Sequence, residues 1–151
     1  DVLGLAKLMG GRKAFVAKLQ KVFDGGLYDP ANEPDIAYPY LFSYFKGEEW
    51  RTAQIVSQLL DRHYTTEAAG LPGNDDTGTM SAWAVFSMMG FYPDCPGDPS
   101  YTLTTPRFDR IEITLDPKYC GGRDRLVITK GRHMKGRISH KEFVGGEGRK
   151  R

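Results

Sequence analysis

The chain contains only two cysteines, Cys95 and Cys120. That is too few for a disulfide framework, and their pairing is not readable from the sequence. There is no CxxC pair and no Cys/His cluster of the kind that holds zinc. His63, His133 and His140 lack any common ligand spacing, so each reads as a surface or packing residue. Ser81 and Ser87 have no His/Asp partner pattern, which argues against a serine hydrolase triad. No apolar run approaches the ~20 residues needed to cross a bilayer as a helix. The formal net charge of +2 makes no case for nucleic acid. No targeting segment is recognisable: residue 1 is Asp1, and Val2–Leu5 reads like the end of an earlier element.

What is present is ordinary globular material. Hydrophobic residues make up 40% and charged residues 26% of the 151 positions, enough for one domain with a core or for parts of two. The charge is uneven. Eight basic residues (Lys130, Arg132, Lys135, Arg137, Lys141, Arg149, Lys150 and Arg151) face only Glu142 and Glu147 after position 129. Such a segment can dock an anionic partner, but its charges are spread out without interleaved aromatics, and a solvated terminus is the simpler reading.

The spacing of apolar residues predicts a helix over 12–23 (Phe15, Val16, Leu19, Val22, Phe23), closed by Gly25-Gly26. A second helix is predicted over 35–46, capped by Asp35 and kinked at Pro39. A third covers 48–63, with Ala53, Val56, Leu59, Leu60 and His63 on one stripe, and a fourth covers 79–89 and stops at Gly90. Beyond Gly90, prolines punctuate short segments. Tyr101–Thr104, Phe108–Leu115 and Leu126–Thr129 read as strands. Helices come first and strands later, the order of an α+β chain and not of an alternating α/β sheet. The expected division is 1–92 and 93–151.

Two loops stand out chemically. One is Asn32-Glu33-Pro34-Asp35; the other runs Gly70-Leu71-Pro72-Gly73-Asn74-Asp75-Asp76-Thr77-Gly78. Each places carboxylates and amides on a short stretch stiffened by proline, just before a predicted helix. Such groups can activate water as general bases or ligate Ca²⁺, a hard cation that prefers about six to eight oxygens. The alternating pattern and distal Glu of an EF-hand are missing. Helix capping and turn formation favour the same residues, and either role suits each loop alone. Tyr38, Tyr40, Tyr44, Trp50, Trp83, Phe91 and Tyr92 offer rings for a sugar face or for a core, with Trp83 expected in the core.

Gly70-Leu-Pro-Gly-Asn-Asp-Asp-Thr-Gly-Thr-Met-Ser-Ala-Trp83, continuing to Met89-Gly-Phe-Tyr-Pro93 and Pro96-Gly97, resembles the signature of glycoside hydrolase family 92. Asn32-Glu33-Pro34 resembles a second motif of that family. Thr105-Pro106-Arg107-Phe108 and Arg137-Ile138-Ser139-His140 resemble its downstream β-region. The resemblance implies part of an (α/α)6 barrel followed by strands of a sandwich-like region. It also implies a calcium-dependent, inverting exo-α-mannosidase acting on mannose-containing glycans outside the cytoplasm. Carried over, Asp76 is the general base, Asn74 and Asp75 orient water or neighbouring groups, and Asn32 and Glu33 bind sugar hydroxyls. Asn32, Glu33 and Asp76 are candidate ligands for Ca²⁺. The family's general acid lies upstream of Asn-Glu-Pro, where this chain offers only Asp29 on a loop. The segment between Thr129 and Arg137 is also shorter than the family pattern. The resemblance therefore implies the C-terminal part of a longer polypeptide, inactive alone and completed by a missing N-terminal part. The competing reading is a non-catalytic carbohydrate- or calcium-binding module.

Overall fold

Polypeptide physics divides this chain where its texture changes. A computed structural model describes residues 1–131 and 136–145. It resolves into two units, Asp1–Ala84 and Val85–Arg151, with the boundary inside one helix. The mixture of helices and antiparallel sheet makes the chain α+β.

The first unit is helical. Asp1 caps α1 (Val2–Leu8) by accepting the Gly4 amide at 2.8 Å, so Val2–Leu5 opens a helix instead of closing an earlier element. Helix α2 (Arg12–Asp24) buries Phe15, Val16 and Leu19. It ends in a Schellman arrangement: Gly26 takes φ 64°, its amide bonds the Phe23 carbonyl, and the Leu27 amide reaches the Val22 carbonyl at 2.9 Å. Helix α3 (Glu49–His63) buries Thr52, Ile55, Val56, Leu59 and Leu60. Thr52 is fully buried although polar, because its hydroxyl accepts from Ser43 Oγ at 3.0 Å. A buried hydroxyl without such a partner is costly.

The segment 35–46 is not one kinked α-helix. It forms two 3₁₀ helices, Glu33–Asp35 and Tyr38–Tyr44. The reason is that Pro34 and Pro39 each lie in the first turn of their own short helix. There the missing N–H is harmless, whereas in a continuous α-helix it would break an i→i−4 bond. Asp35 closes the first turn, and Ala37, not Asp35, occupies the cap position of the second. Tyr40 and Phe42 are fully buried.

Helix α4 (Thr79–Met89) carries the chain from the first unit into the second. It ends at Gly90, which has φ 86° and lies so near Pro106 that a Cβ would stand 2.8 Å from the proline nitrogen. In the second unit β1 (Phe91–Tyr92), β2 (Ser100–Leu103) and β5 (Gly136–Ser139) form one antiparallel sheet in the order β1-β2-β5. β3 (Arg110–Thr114) and β4 (Arg125–Thr129) form a separate hairpin ladder. Ile111 and Ile113 alternate with exposed neighbours, as the sequence predicts. Phe91, Leu103, Leu126, Ile128 and Phe143 make the core here, with Phe143 supplied by the short helix α5 (His140–Gly145). Strand β1 and helices α1 and α5 were not expected from sequence, and β5 was expected only through the resemblance of Arg137–His140 to a β-region. Each is short, and period-2 or period-3.6 patterning needs more residues than they contain.

Cys95 and Cys120 are free thiols. Arg137 from the basic segment is committed internally: its guanidinium bonds both carboxylate oxygens of Asp94 at 2.8 and 2.9 Å and Thr102 Oγ1 at 2.8 Å. Arg132, His133, Lys135, Glu147, Arg149, Lys150 and Arg151 lie outside the described residues. Among the described residues, no helix is long and apolar enough to cross a membrane.

Candidate active site

The Gly70–Gly78 loop is shaped by backbone demands that glycine and short polar side chains meet. Gly70 lies under the loop's own backbone, where a Cβ would stand 2.3 Å from the Thr65 carbonyl oxygen. The Thr65 amide in turn bonds the Gly70 carbonyl at 2.9 Å. Further on, Asp76, Thr77 and Gly78 are three consecutive left-handed residues, with φ of 48°, 59° and 94°. A β-branched threonine at positive φ is a true outlier, and such strain collects where a structure must aim a group. The turn is held by the Asp76 carbonyl, which accepts from Thr79 Oγ1 at 2.8 Å, Thr77 Oγ1 at 2.6 Å and the Thr79 amide at 3.2 Å.

The neighbouring carboxylates have separate duties. Asp75 Oδ1 accepts from both the amide and the hydroxyl of Ser81 at 2.8 Å. It thereby satisfies an orphan donor in the first turn of α4. The Asp76 carboxylate has no hydrogen-bond or ion-pair partner among the described residues, nor has that of Glu33. Asp76, Asn74, Thr77 and Thr79 line one open cleft of about 540 Å³ together with Asn32 and Glu33. The structure thus brings Asn32, Glu33, Asn74 and Asp76 into one place. Asp75 does not line the cleft. Asp29 is used in its own turn, where Oδ1 accepts the Ala31 amide at 2.9 Å.

Trp83 ties the two loops to the scaffold. It is 1% exposed, stacks on Tyr64 at 5.4 Å and meets Tyr40 edge-on at 6.2 Å. Its Nε1 donates to the Ile36 carbonyl just beyond the Asn32–Asp35 motif, at 3.0 Å. Of the aromatics considered as sugar platforms, Tyr40, Trp83, Phe91 and Tyr92 are buried, and Trp50 is half-exposed. His140 Nδ1 lies 2.7 Å from the Tyr101 hydroxyl, away from the cleft residues in sequence and in the second unit.

The donors gathered at the cleft are hard oxygens, two carboxylates and two side-chain amides, which suit Ca²⁺ in kind. Counting both oxygens of each carboxylate, they offer about six, the lower end of a calcium shell. Among the described residues no group of three or more His, Cys, Asp and Glu is placed to hold a metal ion. Thr77 and Thr79, which sequence reasoning passed over, also face this cleft. Their signal was the run of hydroxyl residues between Asp76 and the helix, and nothing in periodicity distinguishes it from an ordinary cap.

An open, oxygen-lined cleft presenting unpartnered carboxylates at the head of a helical unit is the kind of site a glycosidase builds. Residues 1–145 match the glycosyl hydrolase family 92 catalytic domain, and the chain belongs to that family. It is 34% identical over 113 residues to an uncharacterized secreted glycosidase of Arthroderma benhamiae, covering 75% of this chain and 14% of that protein. A family GH92 α-mannosidase of Bacteroides thetaiotaomicron superposes with a TM-score of 0.76 at 26% identity, over 89% of this chain and 20% of the other. An inverting GH92 mannosidase of the same organism gives 0.78 at 25% identity, over 96% and 24%. The chain therefore spans about a seventh of that secreted relative and under a quarter of these solved structures.

Proposed function

We propose that this chain is part of an inverting, calcium-dependent exo-α-mannosidase, and that Asp76 is the base that takes a proton from the attacking water. The observation that carries this reading is the unpartnered Asp76 carboxylate, on a strained left-handed turn that lines the cleft, while adjacent Asp75 is occupied in capping. A carboxylate free of hydrogen-bond donors keeps its lone pairs for water. Asn74 orients that water, and Asn32 and Glu33 hold sugar hydroxyls. Asn32, Glu33 and Asp76 supply part of the oxygen shell for Ca²⁺, which when bound polarises the hydroxyls of the terminal mannose.

Inversion needs a carboxylic acid on the opposite face of the sugar, about 6.5–9.5 Å from the base. Glu33 and Asp76 are the acidic residues that line the cleft and already have roles; the family resemblance implies that the acid comes from another part of a longer polypeptide. There the helical unit completes an (α/α)6 barrel, and the chain alone is inactive. The description of the Arthroderma relative as secreted supports an extracytoplasmic site of action.

The test is release of mannose from a synthetic α-mannoside by the full-length polypeptide, with calcium and with excess chelator. Asp76→Asn is expected to lower kcat by a factor of about 10² or more, the scale of a lost general base, without altering the melting temperature. Normal turnover in Asp76→Asn would place the base elsewhere. Calcium and mannose binding by the full-length polypeptide without any turnover would favour a non-catalytic binding module.

A further inference from the structure

The two loops that carry the cleft residues approach closely at Gly73 and Ala31. A Cβ placed on Gly73 would stand 2.6 Å from the Ala31 Cβ and 3.3 Å from its Cα. The first distance is far inside carbon–carbon contact, so nothing larger than hydrogen fits there. Gly73 does not use glycine's freedom to take positive φ, since it is absent from the left-handed residues. The approach of Ala31 is what requires glycine at this position.

Both partners sit next to the chemistry. Ala31 immediately precedes Asn32 and Glu33; Gly73 immediately precedes Asn74 and stands three residues before Asp76. On either side of the contact the backbone is tied down. The Ala31 amide donates to Asp29 Oδ1 at 2.9 Å, and the Asn32 amide reaches the Asp29 carbonyl at 3.2 Å. On the other loop, Asp75 is bonded to Ser81, and the Asp76 carbonyl to Thr79. Two stiff loops that meet at a hydrogen-sized gap cannot close further at that point.

We infer that the Gly73–Ala31 contact sets the width of the cleft, and with it the separation between Glu33 on one loop and Asp76 on the other. Gly73 and Ala31 are positioning residues: Ala31 lines the cleft but brings only a methyl group, Gly73 has no side chain, and each acts through the loop it belongs to. This rests on the reading of Asp76 as the base and Glu33 as a sugar- or calcium-binding group. It adds that a side chain at position 73 costs turnover by widening the gap between them.

The experiment is a double-mutant cycle in the full-length polypeptide. Gly73→Ala is expected to lower kcat by at least about tenfold, within the range that small misplacements cost, with a smaller change in KM. Adding Ala31→Gly removes the offending methyl and is expected to restore kcat to within about threefold of the parent. Crystal structures of the single and double variants measure the Glu33–Asp76 carboxylate separation directly; it is expected to grow in the single and return in the double. An unchanged separation and kcat in Gly73→Ala, or a double variant no better than the single, overturns the inference. If Gly73→Ala does not fold, Ala31→Gly decides: it adds no atoms, and unaltered kcat and separation there overturn the inference. An active Asp76→Asn, by contrast, overturns the base assignment alone, because the carboxylate separation still reports the spacing.

Discussion

Trp83 Nε1 donates to the carbonyl of Ile36 at 3.0 Å, linking the helix that follows one acidic loop to the turn that follows the other. The indole is buried, and its bond reaches back 47 residues. Trp83→Phe keeps a ring but leaves the Ile36 carbonyl without this donor. The expected loss is about 1–3 kcal/mol of stability, from stranding a partly buried acceptor and from the packing a smaller ring gives up in the core. Chemical denaturation measures it; an unchanged midpoint would mean that the carbonyl finds another donor.

Thr79 bonds the Asp76 carbonyl through both its amide and its hydroxyl. Thr79→Val retains shape and the amide bond but removes the hydroxyl. Turnover of the full-length polypeptide is expected to fall about tenfold, since the left-handed turn that aims Asp76 loses one of its ties. Thr79→Ser is expected to keep near-normal kcat. Normal kcat in Thr79→Val with a loss in Thr79→Ser would point to the methyl group and away from the hydroxyl.

Asp94 has a side chain 0% exposed, facing the Arg137 guanidinium at 2.8 Å and the Thr102 hydroxyl at 2.7 Å. Arg137→Met removes the guanidinium that bonds both oxygens of this buried carboxylate. The expected destabilisation is about 3–5 kcal/mol, the scale seen when one partner of a buried pair is removed. Replacing both, as Asp94→Asn with Arg137→Met, is expected to recover much of this. A melting series on the single and double variants resolves the coupling.

The Glu48 carboxyl is held below its ordinary value of 4.5, first by the hydrogen bond from Arg51, then by that from Arg12. A depressed folded-state value means that the folded chain binds the proton less readily than the unfolded one. The contribution to stability is therefore fully present above the unfolded carboxylate range and is lost as pH falls through the folded value. Glu48→Gln is expected to lower stability near neutrality, where the contribution is fully present, and to converge with the parent as pH falls through the folded value, which flattens the acid limb of the stability curve. A parallel acid limb in the variant would assign the pH dependence to other carboxylates.

Much of the helical scaffold was legible beforehand. α2, α3 and α4 were expected within a residue or two of their observed ends, because α2 and α3 carry amphipathic stripes and α2 and α4 stop at glycine. The aromatic stretch around Pro39 misled, since its composition suits an α-helix and only the positions of two prolines divert it to 3₁₀ turns. Thr52 escaped the predicted apolar stripe because a polar residue joins a core only when a partner such as Ser43 arrives from elsewhere.

The candidate site divides in the same way. Which residues carry oxygen donors, and that proline and glycine stiffen the loops around them, follows from the order of residues alone, because side-chain chemistry and backbone restriction are local properties. That Asp75 caps a helix while its neighbour Asp76 faces the cleft was settled by folding, as was the meeting of Asn32 and Glu33 with Asn74 and Asp76 through the Gly73–Ala31 contact. Identical carboxylates one position apart differ only in the donors that surround them, and those donors assemble only when distant segments pack.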